Sequence, residues 1–323
     1  MSKPKVIVTR RWPEAVEQRL TELFDAELNS DDTPLSQDEL KAAFASADAV
    51  FPTVSDRIDA AVLSAEPMTA RLLGNYGVGF NHIDLEAAKS RGLVVTNTPE
   101  VLTDATADLA MTLLFMVARR AGEGERHLRN GAWTGWRPTH MMGTQITGKT
   151  LGIIGMGRIG RAVAARAHGG FGMRVVFFDE YPPDAETCKA LGAERRDTIE
   201  QVLAEADFVS LHCPGGGANR HLMSAARFKA MKRGAFLINT ARGDVVDEAA
   251  LVEALAAGTI AGAGLDVYER EPKVTPALTK MENVVLLPHL GSATLETRVA
   301  MGMRVVENAE AFFAGKTPPD RVA

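Results

Sequence analysis

The feature that most constrains the fold of this chain is a glycine-rich turn, Gly155-Met-Gly157-Arg-Ile-Gly160. An apolar run, Leu151 to Ile154, precedes the turn, and an alanine-rich segment follows it. The next apolar run ends at Asp179, nineteen residues after Gly160. A strand, a glycine turn, a helix and a second strand that ends in an acid are typical of a dinucleotide-binding unit. A tight turn without a ligand is the alternative.

Each part of this turn has a separate expected role. Gly155 allows the tight turn, Gly157 lets the backbone approach a pyrophosphate, and Gly160 lets the helix pack closely on the strand. Arg158 and Ile159 begin the predicted helix, whose free N–H groups and partial positive charge favour phosphate binding. We therefore predict that these five residues bind a cofactor.

Asp179 bears on which dinucleotide is bound. We expect its carboxylate to accept hydrogen bonds from the adenosine ribose hydroxyls and, with Glu180, to repel a 2′-phosphate. No Lys or Arg follows directly in Asp179-Glu-Tyr-Pro-Pro-Asp184. The sequence therefore predicts NAD(H) in preference to NADP(H), and an ordinary surface acid at a strand end is the alternative.

Composition limits the classes of protein that remain. The chain has 323 residues, of which 46% are hydrophobic and 24% charged, which is typical of a folded protein of two domains. Its net charge of −5 argues against a nucleic-acid partner. Cys188 and Cys213 form no CxxC pair, so neither a metal site nor a disulfide is predicted.

Apolar runs in the sequence are short. The longest, Leu109 to Ala118, falls well below the roughly 20 residues that cross a bilayer. The apolar run near the N-terminus is too short for a signal peptide. We therefore expect a soluble, cytoplasmic protein with no membrane association.

Short β-branched runs alternate with helical patterns along the chain, which predicts the α/β class with two doubly wound parallel sheets. In the first third we predict a helix over Pro13–Leu28. Later helices are expected over Ala105–Arg120, which is apolar on nearly all sides and so buried between domains or subunits, and over Ser292–Phe313. A long connection is expected from Asn130 to Gly148. The predicted strands are 5–9, 49–54 and 93–96, then 151–154, 174–178, 208–211, 235–239, 261–267 and 284–287.

Three polar residues are candidates for chemistry. Arg242 and His289 each follow a predicted strand, at the sheet edge where α/β proteins bind ligands, and Glu271 lies in the segment between them. Reduction of a ketone by NADH needs a proton on oxygen, which His can supply near neutral pH, and a carboxylate stabilises the imidazolium. Arg suits a substrate carboxylate. Taken singly, a structural histidine and a solvated loop acid are the more common cases.

In combination, the motifs of this chain resemble those of the D-isomer-specific 2-hydroxyacid dehydrogenases over essentially its whole length, in particular the glyoxylate and hydroxypyruvate reductase branch. The segments that carry the resemblance are 75–84, 97–101, 155–160, 211–214, 239–243, 265–267, 271–272 and 288–289.

The resemblance implies a function for each candidate. His289 matches the catalytic acid/base, Glu271 its carboxylate partner, and Arg242 the arginine that binds and polarises the substrate. The backbone amides of Val78 and Gly79 match the loop that binds the substrate carboxylate. Further positions match the cofactor site; they are Thr106, Cys213, Pro214, Thr240, Ala241, Asp266, His289 and Gly291.

The resemblance also implies a domain arrangement and an assembly. A Rossmann cofactor domain, residues 99–291, would be inserted in a flavodoxin-like substrate domain, residues 1–98 and 292–323. The expected assembly is a homodimer. Trp136 resembles an aromatic that reaches toward a neighbouring subunit's site, with a surface or packed tryptophan pair as the equal alternative. His82 could touch substrate, although a structural histidine is favoured.

The predicted function is NADH-dependent reduction of small 2-oxo acids, such as glyoxylate and hydroxypyruvate, to D-2-hydroxy acids. Two alternatives stay open. The first is the same chemistry on another 2-oxo acid, such as 3-phosphohydroxypyruvate. The second is a dinucleotide-sensing binding protein similar to the corepressors built on this fold, which retain the same catalytic residues.

Overall fold

The computed structural model of the protein describes residues 2–323, in which short parallel strands alternate with helices. The chain divides into two units. The first comprises the residues up to Leu102 together with Ala293–Ala323, and the second is Thr103–Ser292. The boundaries predicted from the sequence, after residues 98 and 291, lie four residues and one residue before these.

The first unit is a five-stranded parallel sheet with helices on both faces. Its strand order is β2-β1-β3-β4-β5, the flavodoxin-like arrangement. The elements are β1 (Lys5–Val8), α1 (Glu14–Leu23), β2 (Asp25–Glu27), α2 (Gln37–Ser46), β3 (Ala49–Phe51), β4 (Leu72–Gly74), α3 (Leu85–Ser90), β5 (Val94–Thr96) and α11 (Leu295–Phe313).

Alternation along β1 explains why this sheet is covered on both faces. Val6 and Val8 pack with residues of α1 and α11, whereas Ile7 packs on the other face with residues of α2. Successive side chains of a strand point to opposite faces, so a continuous apolar run requires two covering layers. Both layers bury large side chains completely, including Phe44 and Phe51.

The second unit is a seven-stranded parallel sheet in the order β12-β11-β10-β9-β6-β7-β8, the dinucleotide-binding arrangement with one added strand. Its strands are β6 (Thr150–Ile154), β7 (Arg174–Phe178), β8 (Ala193–Arg195), β9 (Phe208–Leu211), β10 (Phe236–Asn239), β11 (Gly262–Leu265) and β12 (Val284–Leu286). Its helices are α4 (Thr103–Ala118), α5 (Ala121–Arg129), α6 (Arg158–Phe171), α7 (Ala185–Ala190), α8 (Ile199–Glu205), α9 (Ala225–Ala230) and α10 (Glu248–Ala256).

The apolar helix α4 is buried for a reason internal to this unit. It packs against α6 and against β10 and β11, and Leu113 and Leu114 are almost completely buried. Its exposed positions, such as Asp108 and Thr112, lie four residues apart on one face. Packing within the second unit is therefore enough to explain why α4 is apolar, and no contact between domains or subunits is needed.

Several sequence predictions about elements were wrong. The structure has three strands that were not predicted, β2, β4 and β8. β2 lies inside the segment predicted as helix to Leu28, because α1 ends at Leu23. β2 and β8 are three-residue strands at the ends of their sheets with mostly exposed polar side chains, so they carry no apolar alternation. The strand predicted to reach Val54 ends at Phe51.

Other predictions agree with the structure. The connection 130–148 contains no helix or strand, and the last helix ends at Phe313 as predicted, although it begins at Leu295, three residues later than predicted. Among residues 2–323, every helix is too short or too polar to cross a membrane.

Candidate active site

His289 and Glu271 form a hydrogen-bonded pair in the second unit. The Nδ1 atom of His289 lies 2.8 Å from Oε2 of Glu271, and the two side chains are 34% and 36% exposed. Each residue lies beyond the carboxyl end of a strand, β12 for His289 and β11 for Glu271. Because Nδ1 is held by the carboxylate, the Nε2 atom of His289 is the nitrogen left for a ligand.

Backbone contacts fix both partners. The N–H of His289 donates to the carbonyl of Asp266 at 2.9 Å, and the residue has a left-handed φ of 54°. The N–H of Tyr268 donates to Oε1 of Glu271 at 3.0 Å, and the Tyr268 hydroxyl donates to the carbonyl of Leu287 at 2.8 Å. Tyr268 therefore ties the segment that carries Glu271 to the strand end that precedes His289.

The charge on Glu271 is stabilised locally. Burial alone would raise the pKa of this carboxyl, but the hydrogen bond and positive charge of His289, the Tyr268 N–H and the charge of Arg242 together lower it below its ordinary value. Glu271 is therefore held as an ionised hydrogen-bond acceptor for Nδ1 of His289.

Arg242 lies in the loop that follows β10, and Asn239 shapes this loop. Oδ1 of Asn239 accepts from the Ala241 N–H at 3.0 Å, and its Nδ2 donates to the Arg242 carbonyl at 2.9 Å. The guanidinium donates to the Ala241 carbonyl at 2.6 Å and forms no ion pair among residues 2–323. Burial lowers the pKa of Arg242, although the charges of Glu271 and Asp244 oppose that effect.

Asp266, Thr106 and Gly291 form a second cluster beside His289. Asp266 is 1% exposed and accepts hydrogen bonds from the Leu290 and Gly291 N–H groups at 2.6 and 2.8 Å. The Thr106 hydroxyl donates to the Gly291 carbonyl at 3.1 Å. Burial raises the pKa of Asp266 to about 6, against the opposing effects of those N–H groups and of His289. The structure thus brings three predicted cofactor-site residues together with the candidate acid/base.

The glycine turn has the shape that the sequence predicts. Gly155 has a φ of 95°, which side chains rarely tolerate, and a Cβ there would lie 2.6 Å from the Cys213 nitrogen. At Gly160 a Cβ would lie 2.2 Å from the Gly155 carbonyl oxygen. A Cβ at Gly157 would meet no atom within 4 Å, so the turn faces open space in front of α6. Arg158 and Ile159 are the first two residues of that helix.

The remaining predicted cofactor residues surround this edge of the sheet. Asp179 follows β7, and its carboxylate accepts from the Met156 N–H at 2.5 Å and the Tyr181 N–H at 2.7 Å. Cys213 and Pro214 follow β9, and burial raises the pKa of the Cys213 thiol to about 11, so it is not a nucleophile at neutral pH. Thr240 follows β10, and its buried hydroxyl has no hydrogen-bond partner among residues 2–323.

The predicted carboxylate-binding loop belongs to the first unit. The carbonyls of this loop are engaged, since Asn75 donates to those of Gly77 and Gly79, each at 3.0 Å, and Asn97 donates to that of Val78 at 2.9 Å. The Val78 and Gly79 N–H groups donate to no backbone carbonyl among residues 2–323. Two amides on one loop with fixed carbonyls can receive an anion, which is what the resemblance implies for these residues.

Two further residues had open interpretations. The Nε2 atom of His82 lies 3.0 Å from Oδ1 of Asn75, so His82 contacts the residue that shapes the carboxylate loop. Trp136 is 82% exposed and Trp133 is 53% exposed in this chain.

Sequence reasoning missed the residues that hold the candidates in place. Tyr268 and Glu248 contact the segment around Glu271, and Asn75 shapes the Val78 loop. Asn75, Asn97 and Asn239 stand inside the motifs already noted, so a search for amides at strand ends would have found them. Among residues 2–323, no group of three or more His, Cys, Asp and Glu side chains could hold a metal ion.

Comparison with known proteins places this geometry in context. A family model described as the D-isomer specific 2-hydroxyacid dehydrogenase NAD binding domain matches residues 111–291. A glyoxylate reductase of Korarchaeum cryptofilum is 46% identical over 323 residues, covering 99% of this chain and 96% of that protein.

Two solved structures are also similar. A Thermus thermophilus protein superposes with a TM-score of 0.90 at 44% identity, covering 99% of this chain and all of that one. An NADPH-dependent glyoxylate/hydroxypyruvate reductase of Sinorhizobium meliloti, in complex with NADP and malonate, has a TM-score of 0.88 at 34% identity, covering 100% of this chain and 97% of that one.

Proposed function

Because the chain belongs to the D-isomer-specific 2-hydroxyacid dehydrogenase family, we propose that it reduces small 2-oxo acids, with glyoxylate and hydroxypyruvate as substrates, to D-2-hydroxy acids. The observation that carries the proposal is the 2.8 Å pair of His289 and Glu271 beside Arg242, at the carboxyl edge of a dinucleotide-type sheet. An acid/base, a carboxylate that orients it and a half-buried cation are the groups that reduction of an oxo acid requires.

The dinucleotide is proposed to bind at the turn after β6, where open space lies in front of Gly157. The Thr240 hydroxyl after β10, which has no hydrogen-bond partner in the part of the chain that the structure describes, suits a ligand at the same edge of the sheet. When bound, NADH supplies the hydride that reduces the carbonyl carbon. Arg242 binds the oxo acid and stabilises negative charge on the carbonyl oxygen. The Val78 and Gly79 amides, assigned from the family resemblance, bind the carboxylate.

His289 then supplies the proton. Its Nδ1 is paired with Glu271, so the proton that reaches the carbonyl oxygen comes from Nε2. Glu271 stabilises the imidazolium before transfer and fixes the ring plane. In the oxidative direction, neutral His289 accepts the hydroxyl proton at the same nitrogen.

The substrate assignment is tested by steady-state rates on a panel of 2-oxo acids at saturating NADH. We expect kcat/KM to be highest for glyoxylate or hydroxypyruvate. A higher value for 3-phosphohydroxypyruvate or a bulkier oxo acid would keep the chemistry and replace the substrate. Absence of turnover with tight NADH binding would instead support the dinucleotide-sensing alternative.

We further propose that NADH is preferred over NADPH. The support is the Asp179 carboxylate, which is fixed by two backbone N–H groups at the end of β7, where a 2′-phosphate would meet its charge. The similar Sinorhizobium meliloti enzyme is NADPH-dependent, so the family alone does not decide the matter. A kcat/KM for NADPH equal to or above that for NADH would overturn the proposal. The double variant Asp179→Ser/Glu180→Arg should shift the preference toward NADPH.

We also propose that the protein acts as a homodimer. Large apolar side chains are exposed on α5 and the connection after it, and we call this set the α5 surface; its members are Leu128 (59%), Trp133 (53%), Trp136 (82%) and Met142 (67%). Leu128 and Trp133 line the same surface cavity. Concentrated apolar exposure of this kind is typical of a protein–protein contact.

A further inference from the structure

The segment that carries Glu271 has little regular structure of its own. Between the end of β11 at Leu265 and the start of β12 at Val284, the only helical turn is a 3₁₀ turn over Leu278–Lys280. Loops are mobile unless other groups hold them. The 2.8 Å contact of Glu271 with His289 therefore depends on what fixes this segment.

One buried carboxylate holds the segment on both sides of Glu271. Oε1 of Glu248, the first residue of α10, accepts the Glu269 N–H at 2.7 Å. Its other oxygen, Oε2, accepts the Thr275 hydroxyl. The two contacts fall two residues before and four residues after Glu271. Both oxygens of Glu248 are thus used by the same loop.

Placing Glu248 in this position has an energetic cost. The residue is 6% exposed and forms no ion pair among residues 2–323. A buried carboxylate without a cation is unfavourable unless hydrogen bonds compensate for lost water. Two charged hydrogen bonds and the amino end of α10 provide that compensation.

Stabilisation of α10 alone does not explain the burial. Asp247 already caps the helix by accepting the Ala250 N–H at 3.1 Å. An exposed acid in the first turn would serve the helix dipole equally well. What burial adds is the pair of contacts to Glu269 and Thr275.

We propose that Glu248 is a positioning residue for the reaction, which keeps Glu271 where its carboxylate meets His289. The proposal rests on the function proposed above. It predicts that Glu248 acts on proton transfer only through Glu271. Glu248 should therefore not change the Kd for NADH.

The test is a double-mutant cycle in the full-length protein. Glu248→Ala is expected to lower kcat for glyoxylate roughly tenfold or more, since small misplacement of an acid/base pair is costly. The Kd for NADH should change less than about twofold. In a Glu271→Gln background the same Glu248→Ala change should lower kcat less than about twofold, because the group that it positions is already inactive. Equal losses in both backgrounds would overturn the proposal and indicate general damage.

Conservative variants separate positioning from folding. Glu248→Gln keeps an acceptor for the Glu269 N–H and can donate to Thr275, so it should restore most of the kcat lost in Glu248→Ala. If Glu248→Ala does not fold, Thr275→Val and Thr275→Ser test the same contact, with kcat lowered only in the variant without a hydroxyl. Equal kcat values in the two threonine variants would contradict the proposal.

Failure of the inference can be told from failure of the proposed function. If His289→Ala and Glu271→Gln both lower kcat but Glu248→Ala does not, only the role of Glu248 is wrong. If His289→Ala and Glu271→Gln leave reductase activity intact, the acid/base assignment itself is wrong, and the inference falls with it.

Discussion

At the residue scale, the second unit contains a natural control for the candidate acid/base. His221 pairs with Glu269 through Nε2 at 2.8 Å, the same distance as His289 to Glu271 through Nδ1. The two pairs differ in the nitrogen that the carboxylate holds and in their place, because the backbone N–H of His289 donates to Asp266 whereas that of His221 donates to Asp244.

We therefore expect His289→Ala to lower kcat for glyoxylate by about 10²-fold or more, the usual scale of a lost acid/base, while NADH still binds. His221→Ala removes a side-chain contact of Glu269, in the segment that carries Glu271, but removes no proton donor, so its loss of kcat should stay well below that of His289→Ala. Steady-state kinetics and an NADH fluorescence titration on both variants check this. Near wild-type turnover in His289→Ala, or an equal loss in His221→Ala, would contradict the assignment.

Asp266 makes stability depend on pH in a predictable direction. Burial raises its pKa from the ordinary 3.8 to about 6, so between these values the native state binds more protons than the unfolded state. The stability contributed by the protonated form is present below pH 3.8 and is lost as pH rises through about 6. The shift corresponds to about 3 kcal/mol once the group is fully charged.

Asp266→Asn cannot acquire this charge. Its free energy of unfolding, relative to that of the wild type, should rise by about 2 kcal/mol between about pH 4 and about pH 7. Urea denaturation of the ligand-free protein at several pH values measures the difference. Parallel pH curves for the two proteins would show that the buried carboxyl titrates normally.

How far the sequence could reveal these residues depends on where their partners lie. Arg242 and His289 could be named because each follows an apolar strand, and parallel strands end at one edge. Glu248 could not, because its partners, Glu269 and Thr275, lie 21 and 27 residues away and its role depends on burial. The hydrogen bond from the Gly291 N–H to Asp266 could not be predicted for the same reason, because the two residues are 25 positions apart.

At the scale of elements, α6 offers a matched pair of glycines. A Cβ at Gly160 would lie 2.2 Å from the Gly155 carbonyl oxygen, whereas one at Gly169 would meet nothing within 4 Å. Gly160→Ala should therefore push α6 from β6, lower the free energy of unfolding by about 1–3 kcal/mol and weaken NADH binding. Gly169→Ala should raise the free energy of unfolding by about 0.5–1 kcal/mol through helix propensity.

Thermal or urea unfolding with NADH titration tests both variants. If Gly160→Ala is as stable as wild type and binds NADH equally well, the close approach of helix and strand is not what the turn requires. Loss of stability in Gly169→Ala would show that α6 tolerates no side chain at either place.

Elements differ in how visible they are in the sequence. Strands such as β6 and β10 lie inside a sheet, are buried on both faces and read as apolar runs. β4 is also fully buried, but its three residues, Leu72–Gly74, are too few to show a pattern. β2 and β8 are the outermost strands of their sheets, so each pairs with a neighbouring strand on one edge only, and their side chains can be polar. Length and position in the sheet therefore decide what can be predicted.

At the scale of the whole molecule, the proposed homodimer makes the α5 surface the place to test assembly. A single chain of 34.7 kDa exposes two tryptophans, Trp133 and Trp136, on the connection after α5. Burying a large apolar side chain contributes about 1.5–3 kcal/mol. If a dimer contact covers both tryptophan side chains, replacing both should therefore reduce the free energy of dimerisation by at least about 3 kcal/mol. That loss corresponds to about a 10²-fold weaker dimer.

We expect light scattering to give twice the chain mass for the wild type and a lower, concentration-dependent mass for Trp133→Ser/Trp136→Ser. Tyr181→Ser is the control, since Tyr181 is 87% exposed but lies after β7, away from α5 along the chain. Its mass should equal that of the wild type. A monomeric wild type would remove the homodimer from the proposal, and a dimeric double variant would place the interface elsewhere.

If kcat also falls as the double variant dissociates, the aromatic at position 136 contributes to a neighbouring subunit's site; unchanged kcat in the monomer would leave it a surface residue.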